Sequence, residues 1–512
     1  MPDHDPPGSL TTIVLRGGGL AGVGLLLTQI ISLASYVVLA RLAAPRQFGI
    51  FAAGSILVGI SALFTESGMT AALIHRRDRL EEAAATAFVS TVAAGLGLAA
   101  LALALAPVVG LFFHSHRAAE VAAVLSGILF LNATTVVPDA LMQRRFSILR
   151  RMLVQPLSAA AFGISATIAC ANGMGAWGLT VGMYVSSLTG VVASWTLSGY
   201  RPAVRRASWR LWRELASYAR HVVASEFLRE ASRVFSTGLV GRFIGPASLG
   251  QFRFALRLAT QANDPVVAAS GLVLFPAFSR ISEDELRLRA AFLRALRFLS
   301  TVTLPLSLAF FPLGEQLAVV LFGERWRPAG VALMAMCGVG VARVLTSIAT
   351  EVFKATGRPE YLPRMQLLAL VLPALLMTAG FPFGLAGIGT GMSVGTLGVG
   401  IYAARLLPRV LPVTAREILD QVWAPAVAAV TMAVVLYLVE HLVIRAQWSP
   451  FPLDAGLLGV EVLLGIALYL LAIRVLVPAR LRDLWALTAA IRPPAHHGRR
   501  TGHSEATPPP GP

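Results

Sequence analysis

The sequence predicts an all-α integral membrane protein of about fourteen transmembrane helices, with two six-helix lobes in a parallel internal repeat and two further helices at the C-terminus. Three observations predict it. Of 512 residues, 56% are apolar and 13% are charged, about half the roughly 25% charged share usual in soluble domains. Apolar runs of roughly 20 residues, each able to cross a hydrocarbon core of about 30 Å as a helix, recur along the whole chain. Arginines crowd into alternate loops, and the same short motifs appear twice in the same order.

In order, the expected spans are 18–40, 50–73, 84–113, 119–141, 153–171, 176–197, 221–241, 252–275, 293–313, 329–352, 365–382, 385–404, 422–441 and 455–477. The first is too long for a removed signal peptide and lacks a small-residue cleavage site, so it is expected to remain as a helix. Residues 1–15 read as a disordered cytoplasmic tail and 16–200 as the first lobe. A basic cytoplasmic linker follows at 201–220, whose SWRLWREL suits an interfacial helix. Residues 221–410 form the second lobe and 411–480 the two added helices. Residues 481–512 read as a basic, then Pro- and His-rich, cytoplasmic tail.

A net charge of +17 would suggest nucleic acid in a soluble protein. Here the arginines sit in the loops IHRRDRLEE, MQRRFSILRR and GYRPAVRRASWRLWRELASYAR and in the stretch from Arg474 to Arg500. That is the positive-inside pattern, which places both termini in the cytoplasm and removes the case for a nucleic-acid partner. Cys170 and Cys337 lie in apolar spans without a partner motif and read as small core residues. The one lysine, Lys354, is followed by Ala355, so the chain lacks a P-loop of its own. Uphill work must come from an ion gradient, the membrane potential or a partner.

The repeat is visible in four places. ARLAAPRQFGIF matches GRFIGPASLGQF, pairing Arg41, Pro45, Gly49 and Phe51 with Arg242, Pro246, Gly250 and Phe252 at an offset of 201. Gly68 and Arg77 pair with Gly271 and Arg280 at 203; Arg145, Leu149, Arg151 and Met152 pair with Arg358, Leu362, Arg364 and Met365 at 213; GAWGLTVGM pairs with GLAGIGTGM at 209. An even number of spans per repeat makes the two lobes parallel about an axis normal to the membrane, with a substrate cavity expected between them.

Helical phase sorts the intramembrane polar residues onto single faces. Span seven carries Glu226, Arg229, Glu230 and Arg233 in one stripe; span eight carries Arg253, Arg257, Thr260 and Asp264; span ten carries Arg343, Thr346, Ser347 and Thr350. Milder series are Thr28, Ser32, Ser35 and Tyr36 in span one, and Ser55, Gly59, Ala62 and Glu66 in span two. A charge at the membrane midplane costs at least about 2.5 kcal/mol, so these faces must meet protein or water. Arginine in a shared cavity suits a diphosphate, because its planar fork donates two parallel hydrogen bonds and stays charged when desolvated. The alternative for span seven is that Glu226 with Arg229, and Glu230 with Arg233, neutralise each other across one turn. Arg253, Arg257 and Arg343 have no same-helix acid within a turn. The nine histidines fall in tails, loops or span ends, and His114 with His116 reads as a loop tip, not a metal site. No metal, cofactor or catalytic motif stands in a span, which argues against an enzyme.

Four stretches, LARLAAPRQFGIFAAGSILVGISALFTESGMTAALIHRRD, GRFIGPASLGQFRFALRLA, LVLFPAFSRISED and VARVLTSIATEVFKATGRPEYLPRMQ, resemble bacterial polysaccharide transporters over most of residues 16–405. These are Wzx-like flippases of the multidrug/oligosaccharidyl-lipid/polysaccharide exporter superfamily, which carry undecaprenyl-diphosphate-linked sugar repeat units across the inner membrane. The resemblance implies two lobes around a cationic cavity, alternating access, and arginine at Arg257 and Arg343. The chain departs from the pattern at Val234, Ser236 and Thr237, where Asn and Asp are usual, and at Glu66, where Asp is usual.

The expected function is export of a lipid-linked oligosaccharide diphosphate for capsule, exopolysaccharide or O-antigen synthesis. Arg233, Arg253, Arg257 and Arg343 are expected to bind the substrate, and Glu66, Glu226, Glu230 and Asp264 to act as cavity acids or to couple to a proton or sodium ion. A polysaccharide polymerase and its chain-length machinery are the expected partners. A multidrug-type exporter is the competing reading, and it predicts acids with few arginines. A membrane ligase or polymerase predicts a long outer loop, whereas the longest here surrounds GERWRPAG.

Overall fold

The computed structural model describes residues 7–62, 73, 79–144, 148–358, 360–444 and 453–477. Glu66 and the tail from 478 onward lie outside them. The first half contributes α1 (Pro7–Leu42), α2 (Pro45–Gly54), α3 (Ile56–Ala62), α4 (Leu80–Phe113), α5 (His116–Ala133), α6 (Val136–Arg144), α7 (Ile148–Ala171) and α8 (Ala176–Ser198). The second contributes α9 (Trp209–Phe243), α10 (Pro246–Gln261), α11 (Asp264–Arg280), α12 (Glu285–Leu308), α13 (Phe310–Phe322), α14 (Arg327–Ala335), α15 (Cys337–Ala355), α16 (Tyr361–Ala379) and α17 (Gly384–Leu406). Then come α18 (Ala415–Val439), which ends in a π-turn at Glu440–Ile444, and α19 (Leu453–Leu476).

Local chemistry explains the element ends. Pro45 and Pro246 each sit in the first turn of their helix, where the missing N–H costs nothing. Ser115 and Asp284 cap α5 and α12 by accepting from Ala118 N and Arg287 N. Thr414 and Glu417 close a reciprocal capping box at the start of α18.

Among the described residues, nine helices are long and apolar enough to cross a membrane, and ten if α14 and α15 with the turn before them, bent by 43°, count as one span. Several of the fourteen expected spans are broken. Span two divides at Ser55, span eight at Ala262–Asn263, span nine at Ala309 and span ten at Met336. Broken helices survive at membrane depth only where protein or a cavity satisfies the freed backbone. At the α10–α11 break the fully buried Asn263 does this, its Nδ2 donating to Ala259 O and Ser307 Oγ (3.1 Å).

Two helices run past the boundaries expected from the sequence. α1 already runs from Pro7, inside the segment read as a disordered tail. The linker's helix does not stop at 220: α9 continues from Trp209 into span seven, because neither Gly nor Pro interrupts 209–237.

The halves meet where the repeat is clearest. α2 crosses α10 so closely that a Cβ on Gly49 would lie 1.6 Å from Pro246 O, and one on Gly250 would lie 2.0 Å from Pro45 O. The contact is reciprocal, Gly49 to Pro246 and Gly250 to Pro45, as a two-fold relation between equivalent residues requires. Small residues that let backbones touch are the usual means of helix association in lipid. Around this crossing, Ile50, Val121, Leu125, Phe252 and Met336 form one buried cluster shared by both halves. The last two helices pack outside it, α18 against α12 and both against α13.

Candidate functional site: an arginine-lined cavity between the halves

A cavity of about 740 Å³ lies between the halves, walled by α1, α2, α7 and α8 on one side and by α9–α11 and α15–α17 on the other. Arg233, Arg253, Arg257 and Arg343 all line it, as does Asp264. The faces read from helical phase converge here: Arg253, Arg257, Thr260 and Asp264 all reach the cavity, and so do Arg343, Thr346, Ser347 and Thr350.

The arginines are not equivalent. Arg233 Nη1 pairs with Glu230 Oε2 at 3.0 Å along α9; Glu230 is buried while half of the Arg233 side chain is exposed. Glu230 fits because residue 59 is glycine: a Cβ there would stand 2.9 Å from Glu230 Oε1. Arg343 on α15 pairs with Asp264 at the first turn of α11, both partly exposed to the cavity. Arg257 stacks its guanidinium 3.6 Å from the centre of the Tyr36 ring, so a second-half cation rests on a first-half aromatic. Arg253 Nη1 reaches Thr237 Oγ1 at 3.4 Å. Among the described residues, neither Arg253 nor Arg257 pairs with a carboxylate.

Glu230 lies behind Arg233, outside the cavity lining. The side chains of Glu226 and Arg229 fall outside the described residues, as does Glu66. Three lining groups were not among the expected site residues. Tyr36 belongs to the polar face of span one. Glu351 extends the Arg343 face by one more step, i+8, and its Oε1 accepts from Lys354 Nζ at 3.2 Å. Gln366 comes from α16, whose apolar sequence gives no signal.

Beyond the cavity lining, at the end where α1 and α9 finish, bonds join the two halves. Arg41 at the end of α1 donates to the last carbonyls of α13, from Nη2 to Val320 O (2.6 Å) and from Nε to Leu321 O (3.1 Å). Trp326 Nε1 donates to Ala40 O at 2.8 Å, and Trp326 is fully buried. Arg242, the repeat partner of Arg41, meets the His114 ring and lies over Phe112 at the end of α4. Each arginine thus reaches across to the end of the third span in the other half. Glu351 and Gln366 line the cavity toward the opposite end, where α15 finishes and α16 begins.

A family model described as "polysaccharide biosynthesis protein" matches residues 38–330. The succinoglycan biosynthesis transport protein ExoT of Rhizobium meliloti (strain 1021) is 24% identical over 291 residues, 56% of this chain and 58% of that protein. The match thus spans little more than half of ExoT. The lipopolysaccharide biosynthesis protein WzxC of Escherichia coli (strain K12) is 22% identical over 448 residues, 84% of this chain and 88% of that one. Among solved structures, the lipid II flippase MurJ in an inward closed conformation superposes with a TM-score of 0.73 at 13% identity, over 91% of this chain and 99% of that one. That superposition shows a shared fold.

Proposed function

The chain belongs to the polysaccharide biosynthesis protein family, and from that premise we propose that it is a flippase moving lipid-linked oligosaccharide diphosphates across the bacterial inner membrane. The observation that carries the reading is a cavity between two halves into which Arg253 and Arg257 project without a carboxylate partner among the described residues. Two arginines one turn apart on α10 each offer a planar fork of donors, a match for the oxygens of a diphosphate. An exporter of organic cations would meet repulsion at the same place.

In this reading the diphosphate binds Arg253 and Arg257, and the lipid tail stays in the bilayer. Arg343 and Arg233 are held in reserve by Asp264 and Glu230, and an incoming phosphate competes for them. With the termini in the cytoplasm, the end closed by Arg41 and Trp326 is the outer one, so the cavity serves the cytoplasmic leaflet in this state. The substrate is moved and left chemically unchanged. An inward proton or sodium flux is the coupling we favour, and a polymerase with its chain-length machinery would take the product.

The test is to delete the protein and identify the accumulated lipid-linked intermediate by mass spectrometry, then to complement with an Arg253→Ala/Arg257→Ala double variant. Accumulation of inward-facing repeat units with normal amounts of folded variant is expected. Normal polymer export by the double variant would overturn the assignment.

A further inference from the structure

The lining of the cavity changes character along its length. Toward the α2–α10 crossing it is aromatic: Phe48, Phe51 and Phe254 line it, and the Phe254 ring packs on Phe48 and on Trp326 with 5.0 and 4.1 Å between centroids. Toward the end of α15 it is polar, with Thr346, Ser347, Thr350, Glu351 and Gln366. Arg257 lies about two turns along α10 from the crossing at Gly250. A diphosphate held by Arg253 and Arg257 therefore extends its sugar into the polar part, because saccharide hydroxyls set against phenylalanine rings would give up water for nothing.

That polar part offers acceptors and one negative charge. Thr346, Ser347 and Thr350 each donate their hydroxyl hydrogen to a carbonyl one turn earlier in α15, so what each has left to offer is lone pairs. Gln366 makes no hydrogen bond among the described residues and can both donate and accept. The Glu351 side chain is only 15% exposed; its Oε1 accepts from Lys354 Nζ at 3.2 Å, and its Oε2 has no partner among the described residues. Lys354 itself does not line the cavity. Such a wall suits sugar hydroxyls, which donate.

Charge decides which sugars fit. Among the described residues four arginines and two carboxylates line the cavity, an excess of two positive charges, one for each phosphate of a doubly esterified diphosphate. Glu230 and Lys354, just behind the lining, leave that excess unchanged. Arg343 answers Asp264 and stands about 12 Å from Glu351, by the rise of eight residues along α15. An acidic sugar in the polar part would meet the Glu351 carboxylate, with the nearest lining cation already paired. We propose that Glu351 is a specificity-determining residue: the cavity takes lipid diphosphates whose adjoining sugars are uncharged, and Glu351 rejects uronic and other acidic sugars by like-charge repulsion. The inference rests on the diphosphate reading of Arg253 and Arg257 and adds to it the class of saccharide.

The experiment uses the full-length protein in nanodiscs of zwitterionic lipid and two synthetic polyprenyl diphosphates of equal chain length. One carries N-acetylglucosamine and the other glucuronic acid, and native mass spectrometry reads the affinity of each. Wild type is expected to hold the neutral lipid at least about tenfold more tightly, the size of like-charge repulsion in a partly buried site. Glu351→Gln should bring that ratio close to one. Lys354→Gln removes the ammonium that partly offsets Glu351 and should widen it; a merely structural defect would not move the ratio in opposite directions. Should Glu351→Gln not fold, the wild-type ratio and Lys354→Gln decide. Equal or tighter binding of the glucuronic acid lipid by wild type, or a ratio that stays the same in both variants, would overturn the role of Glu351 and leave the diphosphate site standing. Arg253→Ala/Arg257→Ala should weaken both lipids alike; if it binds them as wild type does, the diphosphate reading falls and this inference with it.

Discussion

Arg253 and Arg257 lie one turn apart on α10, yet each is held differently, and that difference predicts different mutant behaviour. The Arg257 guanidinium lies over the Tyr36 ring, a cation–π contact worth about 0.5–2 kcal/mol that needs the aromatic face and not the hydroxyl. Tyr36→Phe should therefore retain transport, while Tyr36→Ala loses it; Arg257→Lys should fall between wild type and Arg257→Ala. Complementation of polymer export in a deletion strain ranks all four. Asp264 and Arg343 make the complementary case, because removing one partner strands the other's charge. Asp264→Asn should destabilise by about 1–3 kcal/mol in thermal unfolding, and Asp264→Asn/Arg343→Gln should recover part of the loss. If Arg343→Gln costs as much in the Asp264→Asn background as it does in the wild type, the pair does not couple. Helical phase alone placed Arg253, Arg257, Asp264 and Arg343 on faces that do converge, because side-chain direction along a helix is fixed by geometry. It could not show that Asp264 answers Arg343, since that pairing joins two helices 79 residues apart. Glu351 escaped for a simpler reason: it lies one step past Thr350, at the end where a span was expected to give way to a loop.

At the scale of elements, position in the repeat separates two kinds of helix. Expected spans one, two, seven and eight are equivalent in the two repeats and turn their polar faces inward. They supply Tyr36, Phe51, Arg233 and Arg257 to the cavity. A helix facing a polar cavity can carry charge or break, because the cavity satisfies what lipid would not. The apolar runs also concealed the breaks at Ser55 and Met336, where no proline marks them, whereas Pro265 just after Asn263 is a signal that was available. The α2–α10 crossing tests the packing argument. Gly250→Ala places a Cβ where the backbone oxygen of Pro45 already stands, so one helix must move, at about 1–3 kcal/mol. Gly97→Ala on α4, with nothing within 4 Å, should be neutral or stabilising by up to about 1 kcal/mol. Thermal unfolding in detergent compares them, and equal melting temperatures for the two variants would refute the close approach.

For the whole molecule, the duplication seen as sequence offsets reappears as a closure with two-fold logic. Arg41 caps the end of α13 in the other half, and Arg242 lies at the end of α4 across the same axis. Under the proposed alternating access these contacts break when the outer end opens, so they stabilise one state alone and bias the equilibrium between the two. A hydrogen bond from a charged donor contributes roughly 1.5–3 kcal/mol, and every 1.4 kcal/mol or so is a factor of about ten in population. Arg41 makes at least two such bonds among the described residues, partly solvated, so Arg41→Ala should shift the equilibrium toward the outward-open form by roughly ten- to a hundredfold. Arg242→Ala should shift it in the same direction by less, because its partners are a histidine ring and an aromatic face. Spin labels placed on the two halves at the outer end, read by pulsed electron resonance in nanodiscs, would show a longer distance population in Arg41→Ala. The cavity residues stay unaltered, so diphosphate binding to the inward form weakens only by the fraction of molecules withdrawn from it. Distances unchanged from wild type would mean that the α2–α10 crossing and Trp326 hold the outer end shut without Arg41.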